Sequence, residues 1–246
     1  FRQYLRYLAG LARLDLGPSL KLQGRTVNEI IAQALPYSLA LGGLALGLAL
    51  LLGVILGSVA AVHRNGPLDH VVMVVALAGI SIPTFVIGPL LIIVFVFVLR
   101  LLPVAGWGGA AHLLMPVLTL AAPFTAYVAR LMRAGMLDVL HQPFIRAARA
   151  KGAGETAIVC RHALKVAVLP VVTFLGPASA QLLTGSVVVE KIFNLPGLGR
   201  FFVNSAFNRD HTVALGVALL YCVMLLVFNL IVDISYAWLD PRIRYR

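Results

Sequence analysis

The sequence predicts an all-α, polytopic transmembrane helical bundle, and three observations predict it. Hydrophobic residues make up 61% of the chain, charged residues 12%, and the mean hydropathy is +0.96. A soluble domain carries about a quarter charged residues, so this chain has too few to cover a globular surface. The apolar residues also gather into five charge-free stretches, and arginine and lysine collect at their flanks, as they do in the loops between membrane spans.

A helical crossing takes about 20 apolar residues. The first stretch, 30–62, carries Gly43-xxx-Gly47 and Gly53-xxx-Gly57, spacings that let a neighbouring helix approach the backbone. The second, 71–99, contains Pro83 and Pro89; the third, 113–129, contains Pro116 and Pro123; the fourth, 166–189, contains Pro170 and Pro177. Proline in a span removes a backbone donor and predicts kinks or unwound turns that neighbouring helices must satisfy. The third stretch is the shortest, and Arg130 and Arg133 lengthen it by extending their stems toward the surface. The fifth covers 212–232.

Loop charge sets the orientation. One set of loops holds Arg64, Arg130, Arg133, Arg146, Arg149, Lys151, Arg161, Lys165 and the tail arginines at 242, 244 and 246; the other holds only Arg100, Lys191, Arg200 and Arg209. The richer set is expected in the cytosol. Segment 1–29 is then extracytoplasmic and 30–246 is the transmembrane domain, with a cytosolic loop at about 138–165 and a cytosolic C-terminus. Arg2, Arg6, Arg13, Lys21 and Arg25 run against that outer placement. A sixth helix upstream of Phe1, entering from the cytosol, is the expected resolution.

Several function classes are poorly served. The net charge of +11 is explained by loop orientation, so nucleic acid is not an expected partner. Cys160 and Cys222 form no CxxC, and the six histidines show no HExxH, so no metal or other cofactor is expected. No GxxxxGK[ST] is present to cradle a nucleotide. No span carries an ionisable residue at its centre, which disfavours a proton-driven carrier or a self-sufficient pump. An enzyme would need a catalytic cluster, and none is apparent. Any uphill transport therefore needs work from a partner.

The contact for that partner is a short basic elbow. Pro143 suits a first helical turn and Gly152 a C-cap, leaving a rod of roughly 13 Å. Ala147, Ala148 and Ala150 keep it thin, Phe144 and Ile145 can fill an apolar pocket, and Arg146, Arg149 and Lys151 can pair with acidic groups. The same composition also suits a helix lying on anionic lipid.

Residues 144–152, FIRAARAKG, resemble the "EAA" loop of ABC importer permease subunits, with the companion Leu-Pro at Leu169-Pro170. Arg146 stands where an acidic residue is usual, and the Leu-Pro lies farther from Gly152 than in sugar permeases. Both departures resemble the dipeptide, oligopeptide and nickel branch, as does Arg161-His162-Ala163-Leu164-Lys165. Residues 185–202, GSVVVEKIFNLPGLGRFF, the tail from Asn229, the start at 4–20 and ISIPTF at 80–85 are similar to the first permease subunit type of that branch. The resemblance implies a second homologous permease, two cytosolic ATP-binding subunits and an extracytoplasmic substrate-binding protein in a prokaryotic inner membrane. It implies peptide cargo, or nickel chelate, glutathione or another small solute. Residues 144–152 would be the coupling helix.

Four polar residues of the fourth span and its outer end are path candidates: Gln181, Thr184, Ser186 and Glu190. The alternatives are interhelical hydrogen bonding for the first three and a surface pairing with Lys191 or Arg209 for Glu190. Pro196, Gly197 and Gly199 form a structural reversal in the loop where a binding protein would dock. Asn229 and Asp233 share a helix face and are expected to form a polar clamp.

Overall fold

The structure is a computed structural model that describes residues 2–239, without the side chains at 2–4, 6, 183–185 and 236–239. Among the described residues the chain is helical, with a single isolated bridge between Pro18 and Thr26. An outer helix α1 (Arg2–Leu11) and a loop lead into α2 (Val27–Val62). Thr26 starts α2 with a capping box: its hydroxyl accepts from the Glu29 N–H at 3.3 Å and the Glu29 carboxylate accepts from the Thr26 N–H at 3.1 Å. Asn28 then pins the incoming loop, donating to the Leu14 carbonyl at 2.6 Å and accepting from the Leu16 N–H at 2.9 Å.

Next come α3 (Pro67–Ser81) and α4 (Thr84–Ile92), the latter continued as a π-helical turn over Ile93–Val98. The two pass together as one span but bend by 105° at Ile82–Pro83. The residue before a proline is pushed out of helical torsion, and Ile82 is extended (φ −87, ψ 119). Helix α5 (Ala110–Leu140) is continuous, as long as roughly 46 Å. The elbow helix α6 (Pro143–Ala150) follows, then α7 (Glu155–Ala157), a π-helical turn over Ile158–Ala163, and α8 (Leu164–Ala167). Helix α9 (Leu169–Ile192) sets off from α8 at 51° across the break before Pro170. Helices α10 (Leu198–Phe207) and α11 (His211–Leu239) complete the chain.

Contacts fix the directions. A β-carbon placed on Gly53 would lie 2.6 Å from Val128, and one on Gly57 would lie 2.7 Å from the Met132 side chain and meet the Ala129 carbonyl. The partner positions rise together, so α2 and α5 run parallel. Two parallel helices joined in sequence need an intervening crossing, which makes the bent α3–α4 pair a span. Gly135 packs against Ala167, and Phe174 lies against Phe124 and Tyr127, so α9 runs antiparallel to α5. Asn229 sits against Gly176, and Val27 against Gly216, which place α11 antiparallel to α9 and parallel to α2. The result is five membrane-crossing segments, as expected. The elbow and the end of α11 lie at one end of the bundle, and α1 and α10 at the other.

Exposed residues on α3, α4 and α11 include Val71, Val74, Phe97, Leu226 and Leu230, all more than half exposed. Such a coat is stable against acyl chains, not water.

Four expectations need correction. Pro116, Pro123 and Pro177 do not interrupt their helices; only Pro83 and Pro170 stand at breaks. The buried core around Met115–Phe124 and Ala178–Leu182 holds those helices on course. Gly43 and Gly47 face no neighbour among the described residues, whereas Gly53 and Gly57 do. Arg133 does not extend to the surface: its guanidinium grips Asp69 at the start of α3 with two 2.6 Å bonds. Helix α5 itself runs on to Leu140, well past the stretch ending at 129. Asn229 and Asp233 form no clamp, since Asn229 packs on Gly176 while Asp233 is exposed.

Replacing Gly57 with valine should overpack the α2–α5 contact and destabilise the bundle by about 1–3 kcal/mol. The check is a lowered thermal aggregation midpoint in detergent, with Gly43→Val as the variant expected to leave it unchanged.

Candidate functional site

The elbow is built from the chain's own core outward. Pro143 occupies its first turn, where a missing N–H is harmless, and Gly152 closes it at φ +84, a torsion a side chain would strain. Ile145 is fully buried among Met132, Met136, Val139, Ile158 and Ala163. Burying an isoleucine contributes roughly 1.5–3 kcal/mol, enough to hold so short a helix on the end of α5. Arg149 is bound by Glu155 through two bonds, at 2.9 and 3.1 Å. Phe144, Arg146, Ala147, Ala150, Lys151 and Gly152 are exposed, and Ala148 is half-buried. Two expectations change accordingly. Ile145 fills this chain's pocket instead of a partner's, and Arg149 is already paired within the chain. Phe144, Arg146 and Lys151 remain on the outward surface.

At the opposite end of the bundle Glu190 is only 1% exposed. Its carboxylate accepts from the Ser38 hydroxyl at 2.7 Å, the Ser186 hydroxyl at 2.9 Å and the Gly199 N–H at 2.7 Å. Ser38 in turn accepts from the Leu198 N–H at 2.8 Å. The surface pairing expected with Lys191 or Arg209 does not form, because the side chain points inward from α9 toward α2 and α10. A β-carbon on Gly197 would collide with that carboxylate, and one on Gly199 would come within 2.8 Å of its Oε2. The Pro196–Gly199 reversal is therefore shaped around Glu190. Gly197 and Gly199 are buried, Pro196 is half-buried, and Lys191, Asn194 and Arg200 are the exposed residues beside them. Ser38 lies 152 residues from Glu190 in sequence, and no local signal points to it.

Ser186 and Gln181 of α9 do not share one face. Ser186 bonds Glu190, whereas Gln181 is exposed in a recess with Tyr127, Phe124, Pro83 and Thr84. Thr184 has its side chain outside the described residues.

A second carboxylate fastens the N-terminal loop. Asp210 caps α11 through the Val213 N–H at 3.3 Å and the Thr212 hydroxyl at 2.9 Å, and also accepts from the Ser19 hydroxyl and the Leu20 N–H. Burial alone would raise its pKa, but these donors together outweigh burial and hold it below the ordinary carboxylate value.

Residues 53–245 match the family model described as "Binding-protein-dependent transport system inner membrane component". The chain belongs to this family. It is 44% identical over 247 residues to the oligopeptide transport system permease protein OppB of Haemophilus influenzae, covering 100% of this chain and 81% of that protein. It is 45% identical to the Escherichia coli K12 OppB (99% and 80% covered) and 43% identical to the dipeptide permease protein DppB of Bacillus subtilis (98% and 79%). Among solved structures it resembles the inward-facing MetNI methionine ABC transporter, with a TM-score of 0.74 at 18% identity over 86% of this chain and 96% of that one. The last likeness shows the fold. Together these matches establish the resemblance carried by residues 144–165 and 185–202: this is a multi-pass inner-membrane permease component of the ABC importer type.

Two outcomes follow from the carboxylates. Glu190→Ala strands the Ser38 hydroxyl and the Gly199 N–H, at about 1–3 kcal/mol for each buried group left unpaired, so its thermal midpoint should fall further than that of Glu190→Gln. Because the Asp210 pKa is depressed on folding, its contribution is complete above the ordinary carboxylate range and is lost as pH falls through its folded value. The wild-type advantage over Asp210→Asn in thermal stability should therefore shrink as pH is lowered from 6 to 3.

Proposed function

We propose that this chain is the permease subunit of an ATP-driven importer of peptides, and that its elbow receives the motion of a cytosolic ATPase. The observation that carries this reading is the construction of the elbow: its outer face is basic and thin, while Ile145 sits in the core shared by α5 and the 158–163 turn. A push on Arg146 or Lys151 is thereby delivered to a packed surface instead of a loose loop. Packed interiors pass displacement on because they compress little. ATP hydrolysis takes place in the partner subunits.

In this reading two ATP-binding subunits lie below the elbow, which puts residues 138–165 and the C-terminus in the cytosol. A second homologous permease completes the path, and an extracytoplasmic substrate-binding protein docks on the opposite end, near Pro196, Gly197 and Gly199, through exposed neighbours such as Asn194 and Arg200. Segment 1–29 belongs to that outer end. Peptide cargo is supported by the names of the relatives, OppB and DppB. The decisive experiment is purification with partners followed by uptake in sealed proteoliposomes. Two ATPases, a second permease and nucleotide-dependent accumulation of labelled peptide are expected; accumulation by the isolated chain overturns the reading.

Three substitutions probe the elbow. Ala148→Trp obstructs the thin rod, Gly152→Val strains the φ +84 turn, and Ile145→Ala removes the anchor at about 2–4 kcal/mol. Each should cut peptide uptake by about tenfold or more, the loss expected when roughly 1.4 kcal/mol of coupling disappears. ATP hydrolysis measured in parallel should persist, separating uncoupling from misfolding.

A further inference from the structure

We propose that the recess at the α3–α4 break receives one large apolar side chain of the transported peptide; this rests on the reading above. The recess holds about 240 Å³ and is lined by Pro83, Thr84, Phe124, Tyr127 and Gln181, among others. Complete small-molecule sites run from about 300 Å³ upward, so this one fits part of a solute instead of a whole one.

Its depth argues for transport. Pro83 lies near the middle of the 67–98 span, Phe124 and Tyr127 near the middle of 110–140, and Gln181 near the middle of 169–192. All three segments thus bring central residues to one place. Tyr127 is 44% exposed and Gln181 is exposed as well. A phenol at mid-depth is costly against acyl chains, whereas α3 and α4 present large apolar side chains such as Val71, Val74, Leu77, Phe85 and Leu90 on their exposed surface. This face is turned to a path.

Its chemistry selects the ligand. The Tyr127 ring stacks on Phe174 with centroids 5.5 Å apart, and Phe124 lies 6.4 Å from the Phe174 ring, giving a firm aromatic wall. The phenol at the rim can exchange a hydrogen bond with a peptide N–H or C=O. An aromatic or branched aliphatic side chain would enter, with its own backbone amide held at the mouth.

The test uses the assembled transporter in proteoliposomes with its binding protein, which is held constant so that its own preference cancels. Uptake of a phenylalanine-containing dipeptide is compared with that of dialanine in wild type, Tyr127→Ala, Tyr127→Phe and Thr84→Trp. Loss of one aromatic contact should lower the phenylalanine-to-alanine rate ratio about three- to tenfold in Tyr127→Ala. Filling the recess in Thr84→Trp should do the same, while Tyr127→Phe, which lacks only the hydroxyl that holds the peptide backbone, lowers both rates alike and keeps the ratio, and ATP hydrolysis persists throughout. If Tyr127→Ala and Thr84→Trp leave the ratio unchanged, whether both rates fall together or neither does, the recess packs against the second permease or is idle and the proposal is wrong. If wild type imports neither peptide, the importer reading fails and the recess assignment falls with it.

Discussion

The close parallel contact of α2 with α5 governs the rest of the molecule. At Gly53 and Gly57 the α2 backbone meets Val128, Ala129 and Met132 with no room for a side chain between them. Without a hydrophobic drive between helices in lipid, such close packing is the main source of association. Because the two helices run the same way, the segment between them must cross back. The α3–α4 span is consequently a return path, and a break at Ile82–Pro83 can be accommodated there without disturbing the central pair. The Asp69–Arg133 pair then fixes where that return path begins.

The two ends of the bundle are held by different chemistry. At the elbow end, apolar burial dominates: Ile145 joins a cluster running from Ala61 through Met136 to Val171. At the other end, buried polar groups prevail, with Glu190 gathering α2, α9 and the start of α10, and Asp210 fastening the 18–21 loop to α11. Hydrogen bonds to a buried carboxylate are directional and strong, and leaving one unmade is costly, so this end is set in a single arrangement. Apolar packing is less directional. The elbow end has one such cross-link of its own, the part-buried Asp69–Arg133 pair between α3 and α5, set beside the apolar Ile145 cluster.

Much of this was legible in the sequence. Charge-free runs marked five spans, and Pro143 with Gly152 bounded the elbow correctly, because these signals are local and depend on residue type alone. The family resemblance of 144–165 and 185–202 was legible for the same reason. What remained hidden was long-range. Nothing in the neighbourhood of Ser38 announces its bond to Glu190, and composition cannot tell which of Ile145 and Phe144 turns inward. Proline was read too uniformly: Pro116, Pro123 and Pro177 lie in helices braced by core on several sides, whereas Pro83 does not. Glycine was likewise ambiguous, since Gly43-xxx-Gly47 and Gly53-xxx-Gly57 look alike and, among the described residues, only the second pair meets a neighbour.

Gly197 has an ordinary extended backbone (φ −86, ψ 177), so torsion does not require glycine there. The requirement is imposed from elsewhere: the Glu190 carboxylate occupies the volume where a methyl group would stand. The freedom of position 197 to vary is therefore inherited from position 190. Bulk at 197 finds room only where the acid at 190 is gone, and removing that acid costs the Ser38 hydroxyl and the Gly199 N–H their acceptor. Two positions seven apart thus divide a single volume between them.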